Sequence, residues 1–285
     1  MRLSHLLRPR HVVVSSLAGG LGNQLFQYAF GRAVALQHHC DLVLDTRILQ
    51  IKGGQTPREL GLSDFNIQAS IDTLSRRQLD RCIAIKESIS NHDAGIMQKT
   101  APGCRLAGYW QTEKYFGHIR PTLLTELTLR APVSPYIQRI ADQIASAPQS
   151  ASVHFRRGDY VSDPKVAAFH GVCSVDYYTH AIQSLRKQVH DSPHFFLFSD
   201  DPDWLAANIP AEVESYTIVD ARQSSAREDL WLMSLCRHHV IANSSFSWWG
   251  AWLSKQQGLN FAPAKWFTSA EFNDCDVAPP TWHKV

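Results

Sequence analysis

The sequence predicts an α/β protein made of parallel sheets in two βα halves. Three observations carry this. Short β-branched runs such as Val12-Val13-Val14 and Val240-Ile241-Ala242 recur along the chain, each followed by apolar residues at helical spacing. After residue 150 strands and helices alternate regularly, which implies parallel strands with helices on both faces. The turns closing several runs concentrate Gly, Arg, Asn, Ser and Asp, and in open parallel sheets ligands sit beyond the carboxyl ends of the strands.

In chain order, a strand at 11–16 leads through Gly19-Gly20-Leu21-Gly22 into a helix over 23–38, where Leu25, Ala29, Ala33 and Leu36 recur at helical spacing. A strand at 42–45 follows, then a mixed segment with Pro57 and Gly61. Tyr109 and Trp110 follow a glycine, and a polar helix is expected from Lys114. Ala131 to Pro135, with two prolines, is a break. A helix over 135–146 leads to Ala147-Pro148-Gln149-Ser150-Ala151, which reads as a linker between domains 1–148 and 149–285. Beyond it, strand 151–156 precedes helix 175–189 and strand 194–199 precedes a short helix at 203–208. Strand 214–219 precedes helix 226–237, and strand 239–242 precedes helix 247–257.

Composition narrows the function. The chain has 285 residues and a net charge of +2, which gives no reason to propose a nucleic-acid partner. Its six cysteines, at 40, 82, 104, 173, 236 and 275, show no zinc spacing and read as free thiols. No stretch reaches the roughly 20 apolar residues of a spanning helix. The basic N-terminus, with Arg2, Arg8 and Arg10, leaves room for a weak contact with acidic lipid.

Chemistry concentrates at three strand ends. His154-Phe155-Arg156-Arg157-Gly158-Asp159-Tyr160 puts two arginines and a glycine turn after a strand. Arginine offers a flat fork of donors that fits phosphate oxygens, and a histidine and an aspartate beside it can handle a proton. The bland alternative is a surface arginine pair neutralised by Asp159. Gly20 and Gly22 open a helix with Asn23 and Gln24 at its start. This is neither a dinucleotide fingerprint, because Leu25 holds the third glycine position, nor a Walker loop, because no Gly-Lys-Ser/Thr follows. Asn243-Ser244-Ser245-Phe246-Ser247 precedes a Trp-rich helix, and hydroxyls with backbone N–H groups at a helix start form an anion site. Trp248, Trp249 and Trp252 read as core.

Taken together, GGLGNQLFQYAFGRA (19–33), HFRRGDYV (154–161), AFHGVCSVDYY (168–178), NSSFSWWGAWL (243–253) and FLFSDD (196–201) resemble the bacterial α-1,2-fucosyltransferases of glycosyltransferase family 11. The resemblance implies a GT-B-like fold, two Rossmann-like βα domains facing across a cleft. It implies inverting transfer of L-fucose from GDP-β-L-fucose to the 2-hydroxyl of a terminal galactose, without a protein nucleophile. The N-terminal domain would face the acceptor and the C-terminal domain would bind the donor. Animal members carry a membrane anchor and stem; this chain starts almost at its first strand, which points to a bacterial, cytoplasmic form.

The roles follow from the resemblance. Arg156 would clamp the diphosphate and Arg157 would help or brace the loop. Ser245 and Ser247 with the helix-start N–H groups would hold the β-phosphate, joined by Asn243, Ser244, Gly20 and Gly22. Asp229, in Arg227-Glu228-Asp229-Leu230, would take the paired donors of guanine, or else merely complement a helix dipole. Asp159 is the candidate base, with Asp163, His154 and His170 as rivals; His154 would alternatively touch the base or order the arginine loop. Asn23, Gln24 and His170 would position acceptor or fucose. Asp201-Pro202-Asp203 and Asp274-Cys275-Asp276 fit the D-x-D metal pattern, yet Asp-Pro is ordinary helix capping and the arginines already bring positive charge, so no metal is expected. The remaining alternatives are another linkage, acceptor or GDP-sugar, and a catalytically inactive glycan or nucleotide binder.

Overall fold

The computed structural model describes residues 11–50, 58–88, 92–163, 167–169, 171–268 and 274–285, with only the backbone of Gln50, Asp159 and Ser162. The chain divides into two compact units, Met1–Arg130 and Ala131–Val285.

The first unit holds β1 (Val12–Ser16), α1 (Leu21–Gln37), β2 (Asp41–Asp45), β3 (Ser70–Ile71), α2 (Arg76–Leu79), β4 (Ile83–Lys86), α3 (Ile96–Lys99), β5 (Cys104–Ala107) and α4 (Arg120–Glu126). Its described strands pair in parallel in the order β3-β2-β1-β5-β4. β2 and β3 lie to one side of β1, and β5 and β4 to the other, so the strand order reverses between β1 and β5. α1 packs on β1 and β2 and buries Leu25, Phe26, Tyr28, Ala29, Phe30, Ala33 and Val34. Tyr28 hydrogen-bonds the Glu126 carboxylate, and Arg32 reaches the same group at 2.8 Å, tying α1 to α4. The helix expected from Lys114 breaks into 3₁₀ turns at Glu113–Tyr115 and Gly117–Ile119 before α4 starts. Pro121 sits in the first turn of α4, where a missing N–H costs nothing. β3, β4 and β5 escape the sequence reading because they are too short, two to four residues each, to show a period.

The second unit holds α5 (Pro135–Ser146), β6 (Ser150–Phe155), α6 (Gly158–Ser162), α7 (Val175–Gln188), β7 (His194–Ser199), α8 (Pro202–Ala207), β8 (Tyr216–Ile218), α9 (Ala226–Leu235), β9 (His238–Val240), α10 (Ser245–Trp252), β10 (Asn260–Ala262) and β11 (His283–Lys284). Its sheet is also parallel, in the order β11-β10-β9-β6-β7-β8, and reverses between β6 and β9. One face packs Val153, Phe155, Phe195 and Leu197 against Tyr178, Ala181, Ile182 and Leu185 of α7. The other packs Phe196 and Phe198 against Ile137, Ile140 and Ile144 of α5 and Leu232 and Met233 of α9. Fully burying one such side chain stabilises by about 1.5–3 kcal/mol.

That second face corrects the domain boundary. The apolar stripe of α5 belongs to the second unit, so the units part at Arg130–Ala131, in the proline-rich break, and not at 148–149. The expected linker is a tight turn: the Ser150 N–H donates to Ala147 O at 3.1 Å and β6 begins at once. α10 ends at Trp252, short of 257, and β10 and β11 extend the sheet beyond it.

Candidate active site

Both strand-order reversals carry the motifs found in the sequence. In the second sheet, the arginine turn follows β6 and Asn243-Ser244 follow β9, the two strands flanking the reversal. The turns touch: the Tyr160 hydroxyl donates to Asn243 O at 3.2 Å, and the His154 and Phe246 rings lie 5.6 Å apart.

Arg156 sits half-buried at the end of β6. Its guanidinium meets Asp200 Oδ2 at 2.7 Å and lies 5.2 Å from the Tyr160 ring centre. Asp200 follows the neighbouring strand β7 directly, and its Oδ1 accepts the Arg157 backbone N–H at 2.8 Å. Gly158 leaves that carboxylate room, because a Cβ there would fall 2.5 Å from Asp200 Oδ2. The Arg157 side chain turns away, donating to Asp201 at 3.1 Å and stacking over Trp204 at 4.0 Å. Of its two expected roles these contacts match bracing of the loop. Asp201 also caps α8 by accepting the Trp204 N–H at 3.2 Å, and Asp203 pairs with Arg222 at 3.1 Å. Those aspartates do the capping and pairing work of an Asp-Pro helix start.

Several sequence candidates are corrected by burial. Ser247 is 1% exposed and donates to Ser244 O at 3.3 Å, so its hydroxyl serves the helix turn and faces no ligand. Asn243 is buried as a latch: its amide donates to Gly171 O and Trp266 O, each at 3.3 Å, and accepts the Cys173 thiol at 3.4 Å. Ser244 is the N-cap of α10 and accepts the Phe246 N–H at 3.3 Å. Ser245, half-buried at the first helical position, is the member of the serine run left facing outward. Trp248, Trp249 and Trp252 are core, as expected.

His154 is corrected as a base. It is buried, its Nδ1 has no hydrogen-bond partner among the described residues, and burial with the nearby Arg156 charge pushes its pKa down to about 3. An imidazole so placed stays neutral and takes no proton at neutral pH. The side chain of Asp159 and all of His170 lie outside the described residues.

Asp229 stands in the first turn of α9, whose capping box joins Ser225 and Glu228. Burial pushes its pKa up to about 6; a hydrogen bond from Ser224 works against this, and the Glu228 charge adds to it. Its Oδ1 is buried with no hydrogen-bond partner among the described residues. A helix-dipole aspartate would sit in water; this one holds an unused acceptor in a sheltered place.

On the first sheet's rim, Gly19 takes a left-handed turn (φ 77°) and Gly20 caps α1 with open space above it. Gly22 is buried in the first turn of α1. Gln24 is likewise structural: its amide donates to Gly19 O at 3.0 Å and Glu59 O at 2.9 Å and accepts the Gly61 N–H at 3.0 Å. Asn23 remains half-exposed and accepts from Gln111 at 2.8 Å. The sequence reading missed Asp200 as the partner of Arg156, although Ser199-Asp200 stood at a strand end, and it missed Glu87, which carries no motif.

No disulfide joins the cysteines among the described residues. Among the described residues no helix is long and apolar enough to cross a membrane.

The profile of glycosyl transferase family 11 matches residues 94–285. The chain is 32% identical to an alpha-1,2-colitosyltransferase of Escherichia coli, over 96% of this chain and 99% of that protein. It is 29% identical to the O-antigen biosynthesis glycosyltransferase WbnK of Escherichia coli, over 89% of this chain and 94% of that one. Among solved structures, the NodZ alpha-1,6-fucosyltransferase soaked with GDP-fucose superposes with a TM-score of 0.55 at 15% identity, covering 86% of this chain and 93% of that chain. Two parallel α/β units with this likeness define a glycosyltransferase of the GT-B type. The chain belongs to glycosyl transferase family 11 and is an enzyme of the fucosyltransferase type.

Proposed function

We propose that the protein transfers L-fucose from GDP-β-L-fucose to the 2-hydroxyl of a terminal β-galactose, inverting the anomeric centre, without a metal ion. What supports this reading most is the position of Arg156, held by Asp200 at the reversal point of the second sheet beside the start of α10. In this reading Arg156 and the N–H groups at Ser245 take the charge that grows on the diphosphate as the bond to fucose C1 breaks. The acceptor oxygen forms the new bond from the opposite face. Its proton passes to a base, for which Asp159 is the assignment, and GDP leaves. The Asp229 carboxylate accepts from guanine N1–H and the 2-amino group, which would supply its Oδ1 with the partner it lacks among the described residues.

A second donor is favoured by one observation: the near full-length match at 32% identity is to a colitosyltransferase. Colitose is fucose without its 3-hydroxyl. A site built to hydrogen-bond that hydroxyl rejects the deoxy sugar strongly, whereas an apolar site does not discriminate as well.

The test is incubation with GDP-fucose or GDP-colitose and a panel of β-galactosides, with the product linkage read by NMR. An α-1,2-fucosylated galactoside is the expected product. Exclusive use of GDP-colitose would move the assignment to the second donor, and a product with another linkage would overturn the acceptor position. Asp159→Asn should bind GDP normally and lose transfer; unimpaired transfer would send the base elsewhere, first to Asp163.

A further inference from the structure

The rim of the first sheet carries a construction that no motif announces. Loops after β1 and β5, the two strands flanking the order reversal, are stapled together. Gln27 accepts the Ala18 N–H at 2.9 Å and donates to Gly108 O at 3.0 Å, and Gln111 donates to Asn23 at 2.8 Å. Glu87, one residue past β4, spends both carboxylate oxygens on consecutive backbone groups, Tyr109 N–H at 2.6 Å and Trp110 N–H at 3.0 Å. Burial pushes the Glu87 pKa up, and those two donors work against the rise.

The turn they hold is costly. Trp110 has a left-handed backbone (φ 58°), is 1% exposed, and buries its indole N–H with no partner among the described residues. It is wedged against Phe30, with ring centres 4.5 Å apart. A Cβ on Gly108 would fall 2.4 Å from Glu87 Cβ. Strain of this kind persists where the surroundings over-determine it, and it clusters at ligand clamps. Its product is Tyr109, an aromatic side chain 44% exposed on a backbone pinned by the Glu87 carboxylate, at a place where ligands collect in such sheets.

We propose that Tyr109 is the platform on which the acceptor sugar lies, and that Glu87 is the positioning residue that fixes it. This rests on the galactoside reading above. Galactose suits the platform because its axial 4-hydroxyl leaves the hydrogens of C3, C4 and C5 on one face, an apolar patch that lies flat on a ring.

Saturation-transfer NMR reads sugar binding without turnover, and steady-state kinetics read its consequence. Methyl β-galactoside with GDP and the wild-type protein should show strongest saturation at H3, H4 and H5, and Tyr109→Ala should lose it. Tyr109→Ala should raise the acceptor KM by about tenfold or more, equivalent to roughly 1.4 kcal/mol, while GDP affinity, donor hydrolysis without acceptor, and Tm stay unchanged. Tyr109→Phe should behave as wild type, and Glu87→Gln should raise the acceptor KM with GDP affinity intact. Lost saturation in Tyr109→Ala alongside a wild type that transfers nothing to galactosides would overturn the proposed reaction and leave the platform standing. Equal saturation in wild type and Tyr109→Ala, or none in either, would overturn the platform.

Discussion

Arg156 and Asp200 are locked together: the guanidinium meets one carboxylate oxygen at 2.7 Å while the other oxygen accepts the next backbone N–H at 2.8 Å. One carboxylate thus sets both the side chain and the turn that carries it. A charged fork held this way arrives at a diphosphate already oriented, and preorganised charge is worth more than mobile charge.

Arg156→Ala should lower kcat by about 100- to 1,000-fold, the usual cost of removing a donor that acts in the transition state. Arg156→Lys should rescue little, because an ammonium cannot bridge two oxygens as the planar fork does. The loss should appear in kcat as well as KM. A lysine variant with near-normal kcat would place the clamp on another residue.

Gly158→Ala tests the turn itself. Its Cβ would press on Asp200 Oδ2 at 2.5 Å, so the Asp200 carboxylate, held by Arg156, must move. Overpacking of this kind costs about 1–3 kcal/mol. Gly117→Ala, whose Cβ would meet nothing within 4 Å, is the control. The expected result is a lower Tm and weaker GDP binding for Gly158→Ala relative to the control; equal behaviour of the two would show that the contact is soft.

Asp229→Asn should split stability from binding. The folded pKa of about 6 lies above the unfolded value of about 3.9. Between these values the native chain keeps a proton that the unfolded chain has lost, so this group's stability contribution is complete below about pH 4 and is lost as pH rises through 6. At neutral pH the buried charge therefore costs on the order of 3 kcal/mol. The neutral asparagine should raise Tm at pH 7 and weaken GDP binding by calorimetry, because it offers a donor to guanine's donors. Unchanged GDP affinity would reduce Asp229 to a helix-start residue.

Acid should destabilise the second unit. His154 and His239 are buried and neutral, each with a pKa pushed down to about 3, mainly by burial. An unfolded histidine titrates near 6.5. Between about pH 6 and 4 the unfolded chain holds nearly two protons at these sites that the native chain refuses, while the native chain holds one at Asp229 that the unfolded chain has lost. These three groups leave an imbalance of about one proton, or about 1.4 kcal/mol lost per pH unit, and His238, whose pKa burial and the Arg237 charge push down to about 4, adds to the loss above that value. Urea midpoints should fall between pH 6 and pH 4.5, and His239→Gln should flatten the dependence. A midpoint that does not move with pH would show that these histidines are charged in the native state.

Activity should survive EDTA, since the proposed site neutralises the diphosphate with Arg156 and the α10 start. Complete loss with EDTA, restored by manganese, would overturn the metal-free reading. Modest stimulation by magnesium fits it, because released GDP binds magnesium in solution.

What the sequence determined by itself was local. The β-branched runs and helical periods located most long elements, with α5 matching residue for residue and α7 ending one residue early. Asp201 before Pro202 was legible as a helix cap because capping needs only neighbours within a turn. The family motifs were legible as strings, and Arg156 stood out among them. The tertiary structure alone decided what each motif residue faces. Ser247 and Ser245 are two residues apart in one run, yet one is buried in the helix turn and the other faces outward. Asn243 became a latch through partners in distant segments, Gly171 and Trp266. Arg156 took its partner from the end of a strand adjacent in the sheet and distant in the chain. Glu87 had no motif at all and gains its meaning only because β4 lies beside β5. Strand order brings such residues together, and it is set by packing across long sequence separations, which no local period records.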